Sequence, residues 1–249
     1  MRATMRRSPA LLLVVAAACA TPERPGGDAH VATAGAFAQP WYRRPLPAGV
    51  ETLGGLRALV VAPPTCRSRA CPTLVVLPGG AQNENLAGAT LRPWAQALHD
   101  EGWVAAAPIA PSRDRAFYEG DVSALGPFLD ALAEAHPPEG GRFSLVGVSN
   151  GGIAAFTLAA AHPERFGAVA VAPGYARPEV PLAALRSLAI TSFVGTLDAW
   201  RHPAETTHRD LREAGVASAL RLVAGVGHVL AGHLEWRTLR VALTAPGSG

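Results

Sequence analysis

The sequence predicts an α/β fold: a three-layer sandwich built on one mostly parallel sheet. Three observations carry the prediction. From about residue 56 onward, short apolar runs alternate with stretches of helical composition. The runs are continuously apolar, as in strands buried on both faces, rather than alternating apolar with polar. Gly and Pro mark nearly every junction between them. With 249 residues, 49% hydrophobic and only 16% charged, the chain has enough apolar material for a sizeable core and is not a disordered polymer.

In chain order, residues 1–7 are basic and 10–18 apolar, and small residues lead to Cys19, which matches a secretory leader spanning 1–19. The Cys after small residues resembles the lipobox of bacterial lipoproteins, which implies acylation of Cys19; Ala16 stands where Leu is usual, and an ordinary signal peptide with Cys19 incidental is the alternative. Residues 20–50 are rich in Pro, Gly, Ala and Arg without periodicity and read as a tether, leaving 51–249 as the folded domain. Within it, strands are expected at 59–62 and 73–77, a helix at 92–101 ended by Gly102, a strand at 103–109, and a helix at 122–135 stopped by Pro137-Pro138. A strand at 142–148, a helix at 153–161, strands at 168–172 and 188–194, a helix at 204–214, a strand at 220–223 and a helix at 234–243 follow. No repeat or interdomain linker interrupts the series.

Composition excludes several classes. No window reaches the ~18 consecutive apolar residues of a spanning helix. All 22 basic residues are Arg; Arg2, Arg6 and Arg7 lie in the leader, so 19 Arg remain against 19 acidic residues and nothing argues for a nucleic-acid partner. Cys66 and Cys71 are spaced for a small disulfide loop in an oxidising compartment. Reading them as a metal pair would require two more ligands, and no His or Cys cluster lies nearby.

Chemistry enters at Gly147-Val148-Ser149-Asn150-Gly151, where an apolar run stops at Ser149 and an Ala-rich helical segment begins directly after it. That strand-turn-helix setting presents a serine at the tip of a turn too tight for side chains two residues before or after it. No Gly-Lys-Ser/Thr follows, which disfavours a phosphate cradle. A serine hydroxyl needs a base to accept its proton and an acid to orient that base. Only Asp198 and Asp210 follow Ser149 among the aspartates. Asp210 lies within a helical, solvated stretch, whereas Asp198 sits just past a strand's carboxyl end, where sites in parallel sheets collect. Of the later histidines, His228 follows the last apolar run in a Gly-rich loop and is the expected base; His233 is the runner-up, and His202 and His208 fit a helix surface. For the oxyanion of a tetrahedral intermediate, Asn150 offers its backbone N–H, and Leu77-Pro78-Gly79-Gly80-Ala81 offers a second donor at Gly80, with Ala81 next.

The order Ser149, Asp198, His228 is that of α/β-hydrolases, and residues 56–243 resemble that superfamily. Within it, the Leu-x-Gly-Gly loop and serine elbow are similar to compact carboxylesterases and to dienelactone hydrolase-like or polyhydroxybutyrate-depolymerase-like esterases. Two departures matter: Pro78 stands where His often opens the oxyanion loop, and Ser149 stands where dienelactone hydrolases usually carry Cys, which counts against that activity. The resemblance implies cleavage of a small-molecule or polymeric carboxylic ester through an acyl-enzyme, with no metal or organic cofactor. A serine peptidase or amidase, or a non-catalytic envelope binding protein, are the alternatives. Only about fifteen residues separate the strands ending at 172 and starting at 188, too few for a helical lid, so no large cap domain is expected. Gln82, Tyr175 and Trp200 lie beside these loops in sequence and are candidates to line the pocket, the alternative for Tyr175 and Trp200 being that they only pack loop on core.

Overall fold

The structure is a computed structural model that describes residues 45–112 and 116–244. The leader, Cys19 and residues 20–44 of the expected tether lie outside the described residues. One eight-stranded sheet organises the chain, built from β1 (Gly49–Leu53), β2 (Leu56–Val61), β3 (Thr73–Leu77), β4 (Val104–Pro108), β5 (Phe143–Gly147), β6 (Phe166–Val171), β7 (Ala189–Gly195) and β8 (Ala217–Val223). Their spatial order is β1-β2-β4-β3-β5-β6-β7-β8. The first two neighbour pairs in that order, β1 with β2 and β2 with β4, are antiparallel; every later pair is parallel.

Helices α1 (Glu84–Leu91), α2 (Ala95–Asp100) and α6 (Trp236–Thr244) contribute to one hydrophobic core, and α3 (Leu125–Ala135), α4 (Asn150–Ala161) and α5 (Arg201–Glu213) to the other. The strand sequence explains the two cores. Leu74 and Val76 of β3 enter the first, Val75 and Leu77 the second, and all four are fully buried. Successive side chains on a strand point to opposite faces, so a continuous apolar run feeds both layers. Truncating any of these leucines to Ala would cost about 2–5 kcal/mol. On α4 the small residues Gly151, Gly152, Ala154, Ala155 and Ala159 are all buried, which lets the helix lie close to the sheet.

Differences from the sequence reading are local. The strand β1 begins inside the stretch expected to be a tether. The helix expected at 92–101 starts only at Ala95, as α2, and an unforeseen helix, α1, precedes it. Asn83 starts α1, its side chain accepting the Leu86 N–H at 3.1 Å. Between β6 and β7 lies only a short 3₁₀ turn, Leu182–Leu185, and no large cap domain covers the sheet. Cys66 and Cys71 form a disulfide across the turn before β3.

The chain leaves β3 for β4 on one side and returns to β5 on the other. This reversal of direction opens a crevice at the carboxyl ends of β3 and β5, the switch point where α/β sheets bind ligands. The loops after β3 and β5 carry Gly79-Gly80 and Ser149.

Candidate active site

Ser149 occupies the single residue-wide turn between Val148 and α4, with φ +55° and ψ −120°. Such a backbone costs about 1–3 kcal/mol for a non-glycine residue and persists only when packing enforces it. Here the enforcement is visible. A Cβ on Gly147 would lie 2.3 Å from the Gly151 carbonyl oxygen, one on Gly151 2.0 Å from that of Leu77, and one on Gly152 2.3 Å from that of Pro173. The helix therefore presses against β3, β5 and the loop after β6 at positions only glycine can fill. The Ser149 N–H donates to the Pro173 carbonyl at 2.9 Å, pinning the turn from the other side.

His228 lies in the loop after β8, its Nε2 2.7 Å from Ser149 Oγ and its Nδ1 3.0 Å from Asp198 Oδ1. One tautomer satisfies both contacts: Nδ1–H donates to the carboxylate and Nε2 accepts from the serine hydroxyl. Asp198, at the end of β7, has a fully buried carboxylate, whereas 38% of the His228 side chain remains accessible. The Trp200 N–H donates to Asp198 Oδ1 at 2.9 Å, fixing the acid independently of the histidine. The loops carrying acid and base are tied together: the Leu197 N–H donates to Val226 O at 3.0 Å, the Thr196 N–H to Val223 O at 3.0 Å, and the Gly225 N–H to Thr196 Oγ1 at 2.9 Å. A Cβ on Gly195 would sit 2.1 Å from Val226 O, so glycine permits this close approach.

The backbone N–H groups of Gly80 and Asn150 have no hydrogen-bond partner among the described residues. Asn150 opens α4, so its N–H is one that no helical carbonyl can satisfy and lies at the positive end of the helix dipole. The Asn150 side chain donates from Nδ2 to Gly80 O at 3.1 Å and couples the two donor loops. Gly80 borders the cavity beside Ser149, whereas Ala81 does not.

That cavity, about 300 Å³, opens beside Ser149 and His228. Gln82, Tyr175 and Trp200, the candidates for its lining, do not line it. Gln82 is fully buried and braces the loop after β3: its Nε2 donates to Pro78 O at 3.1 Å, and its Oε1 accepts the Tyr118 N–H at 3.3 Å. Trp200 packs edge-on against the His228 ring, centroids 4.6 Å apart, and Tyr175 packs against Trp200 at 5.1 Å. Tyr175 and Trp200 therefore follow the alternative of packing on the loop that carries His228, and none of the three borders the void. The walls it missed come largely from α1 and the turn after it, where Leu86, Ala89, Thr90 and Pro93 face the cavity. Their i, i+3, i+4, i+7 spacing after an Asn cap is the signal that could have found them.

The rival residues lie elsewhere. Asp210 pairs with Arg209 at 3.4 Å on the surface of α5, and His202 and His233 are exposed. His208 contacts Ser218 Oγ at 2.8 Å; partial burial, and then the charge of Arg212, hold its pKa below the ordinary 6.5. Among the described residues, no three His, Cys, Asp or Glu side chains are grouped to hold a metal ion.

The fold and this arrangement define an α/β-hydrolase carrying a serine, histidine and aspartate in hydrogen-bonded sequence. The chain matches the Esterase family over residues 71–229 and belongs to it. No curated protein matches the chain. Solved structures that share the fold include TT1662 from Thermus thermophilus, with TM-score 0.59 and 19% identity, covering 79% of this chain and 95% of that one. A dienelactone hydrolase-like promiscuous phosphotriesterase from metagenomic libraries aligns with TM-score 0.59 and 18% identity over 75% of this chain and 87% of that one. Thermogutta terrifontis esterase 2, phosphonylated by sarin, aligns with TM-score 0.58 and 15% identity over 81% and 95%.

Proposed function

We propose that the protein is a serine hydrolase of carboxylic esters. The observation that carries this reading is the continuous contact from Asp198 through His228 to Ser149, beside two unpartnered N–H groups. In the mechanism, His228 Nε2 takes the Ser149 hydroxyl proton as Oγ attacks the ester carbonyl, while Asp198 holds the imidazole in the required tautomer and stabilises the imidazolium. The oxyanion is received by the N–H groups of Gly80 and Asn150. His228 then returns its proton to the leaving alcohol, and water, activated by the same histidine, releases the acid from Ser149. The Esterase family match and the esterases among the structural neighbours support this choice over amide cleavage.

A p-nitrophenyl ester series tests it on the protein lacking residues 1–19 and on its Ser149→Ala variant. A fall of at least about a thousandfold is expected in the variant. Equal rates in both proteins would remove Ser149 from the reaction, and faster cleavage of a matched anilide than of the ester would move the assignment to an amidase. By analogy with the esterase trapped by sarin, a fluorophosphonate is expected to label Ser149 once per chain.

We further propose export and lipid anchoring, with Cys19 as the acylated first residue of the mature protein and the residues from 20 up to the start of β1 at Gly49 as its tether. The disulfide between Cys66 and Cys71 supports an oxidising compartment. The intact mass of the mature N-terminus decides the matter: an unmodified terminus at or after Ala20 would refute anchoring.

A further inference from the structure

The cavity beside Ser149 is chemically one-sided. Its lining side chains are aliphatic or aromatic apart from Thr90, Ser149 and His228, and none is Asp, Glu or Arg. It also has an outer and an inner end. Val229 at the rim is 71% exposed, whereas Trp94, Leu230 and Leu234 are each 4% exposed and Ala172 1%. A substrate group entering beside the nucleophile therefore passes an open rim and meets a buried apolar floor.

The floor is held rigidly. The Trp94 indole N–H donates to the Leu234 carbonyl at 2.8 Å across 140 residues of sequence. A buried indole with its only polar atom satisfied cannot turn aside without leaving that hydrogen bond unmade. The bond also joins the turn before α2 to the segment before α6, so two lining segments meet at this residue. On the near side, Leu86 fits so closely under the loop after β3 that a Cβ on Gly80 would lie 2.7 Å from it. The cavity thus runs from the unpartnered N–H of Gly80 to the fixed face of Trp94.

Resting on the ester reading above, we infer that this cavity receives one uncharged, apolar moiety of the ester, and that Trp94 sets the length of chain it accepts. Each methylene added to that moiety gains burial worth about fourfold in kcat/KM until the chain reaches the indole. At about 300 Å³ the space is at the small end of ligand pockets, so the limit falls at short to medium chains. A carboxylate on the same moiety finds no cation there and is penalised by about a hundredfold against its neutral isostere. The moiety can be either the acyl chain or the alcohol; both are hydrocarbon to the cavity, and the experiment separates them.

Two substrate series serve as probes: p-nitrophenyl esters from acetate to dodecanoate, and acetate esters from methyl to octyl, the latter followed by proton release. Wild-type protein is expected to show a chain-length optimum in one series, which identifies the moiety. Trp94→Ala is expected to move that optimum longer by two or more methylenes, Trp94→Phe by less, and Leu234→Ala in the same direction from the adjoining lining segment. Fluorophosphonate labelling and the thermal melt report whether each variant is folded, and the shift is read in those that are. An optimum at the same chain length in all folded variants, or no optimum in the wild-type protein, overturns the inference while leaving the ester reading standing. Where the acyl series shows the optimum, a p-nitrophenyl hydrogen succinate cleaved by the enzyme as fast as the butyrate overturns it as well; where the alcohol series does, an acetate ester with a carboxylate at the end of its alcohol chain, cleaved as fast as its neutral counterpart, does the same. Failure of the wild-type protein to cleave any ester overturns the ester reading and this inference with it.

Discussion

Trp200 touches both partners of the serine in different ways, and the two contacts can be separated by mutation. Its backbone N–H holds Asp198 Oδ1 at 2.9 Å, and its ring packs edge-on against His228 with centroids 4.6 Å apart. Trp200→Ala keeps the first contact and removes the second. An aromatic pair in this geometry is worth about 0.5–1.5 kcal/mol. If that energy restrains the imidazole in its productive orientation, its loss lowers kcat/KM by about two- to thirteenfold. The same residue's backbone continues to fix Asp198, so the variant retains far more activity than Asp198→Asn, in which a wrong tautomer costs about ten thousandfold. Trp200→Phe restores an edge-on ring and is expected to recover most of the loss. The assay is kcat/KM on p-nitrophenyl acetate from about pH 5 to 9 for the three variants and the wild-type protein, alongside thermal melts. A loss in Trp200→Ala as large as that of Asp198→Asn, with an unchanged melt, would refute the separation of roles. No loss at all would show that the ring does not position the histidine.

Three further outcomes follow from the same geometry. Gln82→Leu removes the side-chain hydrogen bonds to Pro78 O and the Tyr118 N–H; it is expected to cost about 2–4 kcal/mol and to lower Tm by roughly 5–15 °C, and a melt within a degree of wild type would contradict its bracing role. Gly151→Ala puts a Cβ 2.0 Å from the Leu77 carbonyl oxygen, so α4 must move off β3; a Tm drop of at least about 5 °C with loss of fluorophosphonate labelling is expected, and a stable, fully labelled variant would refute the packing argument. His208 has its pKa depressed below 6.5, first by burial and then by Arg212, so the unfolded chain binds more protons just below pH 6.5. The stability it contributes is complete above that pH and is lost on acidification through the folded pKa. Urea midpoints at pH 5 and 7.5 should therefore fall more on acidification in the wild type than in His208→Gln; equal falls would dismiss the effect.

The serine, histidine and aspartate that the structure brings together were legible because the requirements of such a group are local. The elbow needs glycine at set offsets from Ser149, and the strand-to-helix transition that makes the turn is written in the same dozen residues. Asp198 and His228 were separable from Asp210 and His233 because strand ends, not helix faces, point into the crevice of a parallel sheet. The strand β1 was missed because its burial is uneven, with Gly49 and Val50 exposed and only Leu53 buried, so it lacks the continuous apolar run that betrays the inner strands. It exists by pairing with β2, information that is not contained in its own five residues. The helix α1 was hidden for a related reason, since its buried residues, Ala87, Gly88 and Leu91, include only one large apolar side chain.

The pocket was less legible than the nucleophile, for a physical reason. A catalytic contact is made by polar atoms at fixed distances, so few residue types can supply it and each is conspicuous in sequence. A void is defined by what surrounds it, and its floor here is completed by a hydrogen bond between Trp94 and Leu234, 140 residues apart. Tyr175 and Trp200 drew attention because large aromatics near catalytic loops often face substrate. In this fold the carboxyl end of β7 turns directly into α5 at Arg201, and Trp200, at that junction, has its ring against the imidazole and its amide on the carboxylate. An aromatic packed on the histidine outside the cavity is placed to act differently from one inside it: in the reading proposed above, Trp200 bears on the orientation of His228, and Trp94 on the chain length the cavity accepts.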